Sequence, residues 1–377
     1  MTLFLEGSKY KAQLLKSTFG NDVYSIIVKG NPSKETQILD CVGYCLSSDN
    51  REHVFILPKV FRTGNKAFDI IDLKEDSAIE LNEEVSSALK KVGWDVSELP
   101  LYLYLAIDKF RRENRDKSEA TFETEQTDVI SSRKDPHERL LLDIILSLRD
   151  FYRENENLFV LIYKQIHSGF NKVNWTKTVR TKLPAITEQG VFYPLVVNHK
   201  KEINYDEELL IIFFNTLRFI NAKYGFKFRV DQPYNLMPDN EFKRKFESGV
   251  IKRRLESIRT AYFNEKLVRL WELLHIFADQ THRVQSTKAR EEYLLVRKFN
   301  IIFEAMIDHI LGDSNLPSKL WRQADGKIVD HLFRGASVLG GEREIYYIGD
   351  SKYYKDDSLP VGSSLFKQYT YAKNIIQ

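Results

Sequence analysis

The C-terminal part of the sequence contains the acidic and basic side chains whose spacing is most typical of catalysis. Asp350 and Lys352 are separated by one residue at the end of EIYYIGDSKYY, an aliphatic and aromatic run that predicts a strand. Asp330 lies 20 residues earlier in a second strand-like run, IVDHLF. Side chains two positions apart in a strand point to the same face, so we expect Asp350 and Lys352 to lie together, with Asp330 on a neighbouring strand.

These three side chains suit the hydrolysis of a phosphodiester. Two carboxylates can hold Mg²⁺, which takes few protein ligands and keeps several of its waters. A bound Mg²⁺ would lower the pKa of a water molecule, while Lys352 would stabilise the charge that develops on the phosphate or hold the attacking water. The alternative for these side chains is an ion pair at a solvated strand end.

A second aspartate, Asp325, competes with Asp330 for the role of the first carboxylate. Residues 324–327, ADGK, are typical of an exposed hairpin turn, in which an aspartate needs no special partner. Asp330 lies inside an apolar run, where a carboxylate needs a partner such as a metal ion. The sequence therefore favours Asp330.

Predicted helices flank the two strands. The apolar pattern of residues 300–311 predicts a helix that carries Glu304, and the run SSLFKQYTYAKNIIQ predicts a helix that carries Gln368. The order of helix acid, strand acid, Asp-x-Lys and helix glutamine resembles the PD-(D/E)XK nuclease superfamily. For Glu304 the alternative is a place on the polar face of its helix.

The resemblance to these nucleases implies a role for each residue of the pattern. Asp330, Asp350 and Glu304 would bind Mg²⁺, for which Mn²⁺ would substitute. Lys352 would act in catalysis, and Gln368 corresponds to the glutamine often found on the helix that follows the strands.

Three segments extend the resemblance to a narrower family. The runs VNWTKTV (residues 173–179), DGKIVDHLF and GDSKYYK are similar to LlaJI-type restriction endonucleases and to McrC, the nuclease subunit of McrBC-type systems. This similarity implies a restriction endonuclease subunit for phage defence that cuts double-stranded DNA together with a McrB-like GTPase or ATPase motor. The chain has no G-x-x-x-x-G-K-[ST] loop, so the motor is expected to be a separate chain. Cleavage of both strands would require two sites, and hence an oligomer.

Two other functions remain open from the sequence. The superfamily core has a further strand after the glutamine-bearing helix, and the sequence ends at Gln377. If this further strand is missing, the chain is expected to be a catalytically silent adaptor that binds DNA or the motor through an incomplete nuclease domain. In a helical interaction protein, by contrast, the Asp-x-Lys pattern would be coincidental.

Composition indicates an ordinary globular protein. The chain has 377 residues, 43% of them hydrophobic, and a formal net charge of +3, which excludes a globally basic binder. Two cysteines argue against a disulfide framework, and no signal peptide or membrane span is evident. We expect a cytoplasmic protein with no membrane partner.

The pattern of elements predicts an α+β multidomain chain. We expect a β-rich N-terminal domain with a helical end that docks the motor (1–120), followed by a polar linker (121–136). A mostly helical middle region (137–295) follows, with a basic segment at 167–201. The last region (296–377) is expected to be a C-terminal α/β PD-(D/E)XK-like core that is incomplete at its end. In the N-terminal part, residues 23–28, 37–46 and 53–58 each predict a strand, and together a small barrel or curled sheet.

Two basic segments are candidates for contacts with DNA phosphates. One surrounds Trp175, and the other lies in a predicted helix at 241–260. The alternative for both is a solvated charged face. The candidate DNA-binding residues are Lys172, Lys177, Arg180, Lys182, Lys252, Arg253 and Arg254.

Overall fold

The computed structural model describes most of the chain. The described residues are 1–31, 33–47, 52–94, 96, 98–113, 129–132, 138–159, 173, 175–197, 205–286, 292–313, 316, 329, 331–336, 344–349, 351 and 353. The chain forms two compact units. Unit 1 combines Met1–Lys134 with Glu291–Gln377, and unit 2 is Asp135–Arg290. The four-part division expected from the sequence stays a prediction.

The protein is a mixed α+β protein, and the helices and strands given next are those of its described residues. Its helices are α1 (Ala12–Ile27), α2 (Glu83–Lys91), α3 (Leu99–Glu113), α4 (Leu141–Glu154), α5 (Trp175–Thr181), α6 (Tyr205–Tyr224), α7 (Asp239–Glu247), α8 (Val250–Ser257), α9 (Glu265–Ser286) and α10 (Asn300–Leu311). Its strands are β1 (Thr2–Leu5), β2 (Lys9–Lys11), β3 (Thr36–Ile38), β4 (Val42–Leu46), β5 (His53–Leu57), β6 (Arg62–Thr63), β7 (Lys66–Ala67), β8 (Ile71–Asp72), β9 (Ile79–Glu80), β10 (Val129–Ser131), β11 (Ala185–Thr187), β12 (Gly190–Phe192), β13 (Tyr293–Val296), β14 (His331–Ala336) and β15 (Glu344–Gly349).

A six-stranded sheet organises unit 1. Its strand order is β10-β13-β4-β5-β1-β9, with β1 and β5 parallel and the other neighbours antiparallel. Every residue of β4 and β5 is buried, because α3 packs against these strands and α1 contributes to the core of the same sheet. Their continuous apolar runs are typical of central strands that are covered on both faces. The mixed sheet fits the predicted α+β class.

Helix α1 corrects one prediction from the sequence. Residues 23–28 were expected to form a strand, but residues up to Ile27 belong to α1. Phe19, Val23 and Ile27 are each four positions apart and fully buried, so they form one apolar stripe on a helix. Gly20, with φ of 75°, kinks the helix between Phe19 and Val23. The β-branched residues of this run favour a strand locally, and the helical stripe outweighs them.

Strand β13 was missed by the sequence analysis. The middle region up to residue 295 is predicted to be mostly helical, yet Tyr293–Val296 pairs with both β4 and β10. A four-residue apolar run does not distinguish a buried strand from part of a helix by its periodicity. The strand inserts this later part of the chain into the N-terminal sheet.

Other predicted elements are confirmed. The strand at 53–58 is β5, the run 37–46 overlaps β3 and contains β4, and the helix at 300–311 is α10. The strand-like run IVDHLF overlaps β14, and the run that leads to Asp350 contains β15.

Unit 2 is mainly helical. Helix α9 packs against α4, α6 and α8, and α7 packs against α6. The helix expected at 241–260 is divided into α7 and α8, because Gly249 adopts a left-handed conformation with φ of 73°. A small hairpin, β11–β12, follows α5. No helix within the described part of the chain is both long and apolar enough to cross a membrane.

Candidate functional site

Most of the predicted nuclease motif lies outside the described residues. Asp330, Asp350, Lys352 and Gln368 are in this group, as are the competing Asp325 and the basic Lys172. Their predicted roles therefore stay predictions. The structure describes Glu304 and the elements that border the motif along the chain.

The two strands that border the motif form an antiparallel pair. The register runs from His331 opposite Gly349 to Ala336 opposite Glu344. Helix α10 packs against β14, and the backbone N–H of Asp313, just past the helix, donates to the carbonyl of Leu332 at 3.0 Å. One helix and two strands are thus joined directly.

His331, the first residue of β14, is almost completely buried. Its Nδ1 lies 3.4 Å from Oδ1 of Asp308 on α10, a distance that suits a hydrogen bond if Nδ1 carries the proton. A Cβ added at Gly349 would lie 3.2 Å from the Cβ of His331, so the glycine allows the two strands to approach closely here. The imidazole therefore links α10 to the end of the strand pair.

Glu304 lies on α10 and is half-buried. The residue before it, Phe303, and Phe299 at the start of the helix both contact the ring of Tyr353, with centroids 5.4 and 5.6 Å apart. Tyr353 directly follows Lys352 in the chain. The predicted helix acid and the end of the Asp-x-Lys run are therefore attached to the same aromatic cluster.

Tyr353 is also bonded to the N-terminal sheet. Its hydroxyl donates to Oε2 of Glu6, the residue after β1. The backbone N–H of Lys59 donates to both Oε2 of Glu6 and the hydroxyl of Tyr353, each at 3.2 Å. The Lys59 ammonium lies 4.5 Å from the centre of the Tyr353 ring. We call Tyr353, Glu6 and Lys59 the tyrosine cluster.

Burial controls the protonation of this cluster. Desolvation raises the pKa of Glu6, although the hydrogen bonds from Tyr353 and Lys59 oppose the shift. Desolvation and the adjacent Glu6 carboxylate raise the pKa of the Tyr353 phenol far above its usual range. Tyr353 thus remains a hydrogen-bond donor at every physiological pH.

Sequence reasoning missed the tyrosine cluster. Glu6 and Tyr353 are 347 residues apart, and neither residue belongs to a recognisable spacing pattern. The only local signal was the position of Tyr353 beside the Asp-x-Lys run.

The basic segment around Trp175 is exposed. Trp175 is 58% exposed and touches Tyr193 in an edge-on contact with centroids 6.3 Å apart. Lys177 and Arg180 are exposed on α5 and spaced three residues apart, so they are neighbours on the helix surface. Lys182, just after the helix, is half-buried. Trp175 and the basic side chains of α5 are therefore exposed on the same short helix.

The second basic segment is largely neutralised within unit 2. Arg254 forms a two-pronged ion pair with Glu208, at 2.6 and 2.7 Å. Lys252 forms an ion pair with Asp279 at 2.7 Å. Arg253, between them, is exposed. Of these three cations, Arg253 is the best placed for an external phosphate.

In the described ranges, no three His, Cys, Asp or Glu side chains gather as a metal-binding group. This finding does not reach Asp330 and Asp350, because both lie outside those ranges. The chain matches no family model, no curated protein and no solved structure.

Proposed function

We propose that the protein is the Mg²⁺-dependent endonuclease subunit of a McrBC-like or LlaJI-type restriction system, which hydrolyses phosphodiester bonds in double-stranded DNA. The observation that carries this proposal is the arrangement of one helix and two strands near the C-terminus. Helix α10, which carries Glu304, packs against β14, and β14 pairs with β15. This order of elements agrees with the order on which the resemblance to PD-(D/E)XK nucleases rests.

The strand register supports the proposal further. His331 lies opposite Gly349. In the chain, His331 directly follows Asp330, and Gly349 directly precedes Asp350. The described neighbours of the two aspartates in the chain are therefore paired at the same end of the strand pair. A site that uses two carboxylates requires this common end.

The donor set suits a hard divalent cation. Asp330, Asp350 and Glu304 offer carboxylate oxygens, which are the ligands that Mg²⁺ and Mn²⁺ prefer. A bound Mg²⁺ would supply an activated water and neutralise charge on the phosphate. In this proposal Lys352 stabilises the charge that develops on the phosphate or orients the attacking water, and Gln368 helps to hold the substrate.

The basic surfaces would position the DNA. Lys177 and Arg180, with the exposed Trp175, combine cations for phosphates with an aromatic face, a combination common in nucleic-acid sites. Arg253 would add a sequence-independent phosphate contact. A separate McrB-like GTPase or ATPase would move the DNA, and pairing of two nuclease subunits would permit a double-strand break.

Nicking of supercoiled plasmid tests this proposal. The wild-type protein is assayed with Mg²⁺, with Mn²⁺ and with EDTA, beside Asp350→Asn and Lys352→Ala. We expect nicking that needs the metal and falls at least a hundredfold in both variants. The variants Asp330→Asn and Asp325→Asn then show which aspartate is the first carboxylate, and we expect the loss in Asp330→Asn.

If the wild-type protein alone does not nick DNA, adding the motor distinguishes a nuclease that needs its motor from an inactive adaptor. Addition of the cognate motor and its nucleotide should then produce cleavage that Asp350→Asn lacks. Continued silence with normal motor binding would contradict the nuclease proposal and support the adaptor.

A further inference from the structure

We infer that the tyrosine cluster positions the proposed nuclease site, with Tyr353 and Glu6 acting as positioning residues for the segment that carries Asp350 and Lys352. This inference rests on the proposed function and extends it to residues outside the motif. It assigns a role in the site to Glu6, which lies at the opposite end of the chain.

Several elements of unit 1 meet at Tyr353. Its ring contacts Phe303 of α10 and Phe299 just before this helix, and its hydroxyl bonds to Glu6 after β1. The backbone N–H of Lys59, after β5, reaches the same hydroxyl. One buried side chain therefore joins the N-terminal sheet to the helix that carries the predicted acid.

Tyr353 is close in the chain to the residues of the proposed site. Tyr353 follows Lys352 by one residue and Asp350 by three. Three residues of extended chain span at most about 11 Å, so fixing Tyr353 limits where both side chains can be placed. Phe303 is likewise adjacent to Glu304. The cluster thus restrains both halves of the proposed metal site at points one to three residues away.

The hydrogen bonds of the tyrosine cluster have a defined direction. The phenol stays protonated, so it donates to Glu6, and the carboxylate accepts from both Tyr353 and Lys59. Tyr353 is 7% exposed and Glu6 is 8% exposed, which excludes water as an easy substitute partner. A nonspecific apolar contact would not fix the segment in one orientation to the same degree.

A conservative variant separates positioning from packing. Tyr353→Phe keeps the ring, its contacts with α10 and its contact with the Lys59 ammonium, but removes the bond to Glu6. Glu6→Gln keeps an acceptor oxygen for the tyrosine. The matched control is Tyr10→Phe, because Tyr10 is also buried and its hydroxyl accepts from the N–H of Leu5 in β1 at 3.1 Å.

Two measurements are made on the full chain. Mn²⁺ binding is measured by calorimetry, and hydrogen exchange is followed in the peptide that spans residues 344–353. In Tyr353→Phe we expect the Mn²⁺ dissociation constant to rise at least fivefold and this peptide to exchange at least tenfold faster. Glu6→Gln should have a smaller effect, and the double variant should be no worse than Tyr353→Phe.

Failure of the positioning role and failure of the proposed nuclease function give different results in these measurements. If Tyr353→Phe matches Tyr10→Phe in both measurements while wild-type Mn²⁺ binding depends on Asp350, the inference is overturned and the proposed function stands. If the wild-type protein binds no Mn²⁺ and cuts no DNA with its motor, the proposed function fails and the positioning role fails with it. Hydrogen exchange would then report only whether the cluster orders the segment.

Discussion

Gly43 in β4 offers a stringent test of how the sheet of unit 1 is assembled. Its φ is +144°, and it lies opposite Leu295 of β13 in the register. A Cβ at this position would lie 2.1 Å from the carbonyl oxygen of Leu294. This neighbour is backbone, so Gly43→Ala can be accommodated only if β4 and β13 separate.

The expected loss can be estimated from two contributions. The backbone conformation costs an alanine ~1–2 kcal/mol. Separation of the strands weakens two or three backbone hydrogen bonds, at ~1 kcal/mol each. We therefore expect Gly43→Ala to lose ~3–5 kcal/mol, a large part of the ~5–15 kcal/mol that stabilises a typical domain.

The matched control is Gly30→Ala. Gly30 also has a positive φ, +94°, but nothing lies within 4 Å of a Cβ added there. This variant should lose only the conformational contribution of ~1–2 kcal/mol. Native-state hydrogen exchange at residues 293–296 reports the opening of β13 directly. Equal protection of β13 in the two variants would refute the argument that the close backbone approach at Gly43 is needed.

Three further predictions concern the charged groups. Arg254→Gln should lower the stability of unit 2 by ~1 kcal/mol, because it breaks a partly exposed two-pronged ion pair, and should leave DNA affinity unchanged. Arg253→Gln should have the opposite effects, a lower DNA affinity and an unchanged stability. Urea unfolding measures stability, and fluorescence anisotropy with labelled DNA measures affinity. A loss of DNA affinity in Arg254→Gln and not in Arg253→Gln would contradict the prediction. Because burial raises the pKa of Glu6, its contribution to stability is full below the usual glutamate pKa and falls as the pH rises through the raised value. Melting temperatures from pH 4 to 8 should therefore fall more in the wild-type protein than in Glu6→Gln, and parallel curves would contradict this. The double variant Lys177→Ala with Arg180→Ala should weaken DNA binding. It should also reduce the slope of log K against log salt concentration by an amount equivalent to about two phosphate contacts. An unchanged slope would exclude α5 from the interface.

Local patterns predicted several elements correctly, because their signals lie within a few residues. The strand β5 was recognised from a continuous apolar run, and α10 from apolar residues at helical spacing. The prediction failed at residues 23–28, where β-branched residues suggested a strand. In the folded protein, burial of Phe19, Val23 and Ile27 in the core of the sheet outweighs the local strand propensity of this run.

Long-range pairings could not be predicted from these patterns. Strand β13 pairs with β4, although about 250 residues separate them, and no periodicity encodes such a partner. The bond between Glu6 and Tyr353 is of the same kind. Of the predicted site, the structure describes Glu304 on its helix and the strands next to the aspartates, whereas the roles of Asp330, Asp350 and Lys352 stay predictions.

The most direct test of the nuclease proposal is the metal-dependent rate at which wild-type protein and Asp350→Asn nick plasmid DNA in the presence of the motor. Asp313→Asn is the matched control, since it makes the same change in an aspartate that pairs with Arg334 outside the motif. We predict cleavage by the wild-type protein and by Asp313→Asn, both abolished by EDTA, and a loss of at least a hundredfold in Asp350→Asn. Equal rates in Asp350→Asn and the wild-type protein would contradict the proposed site.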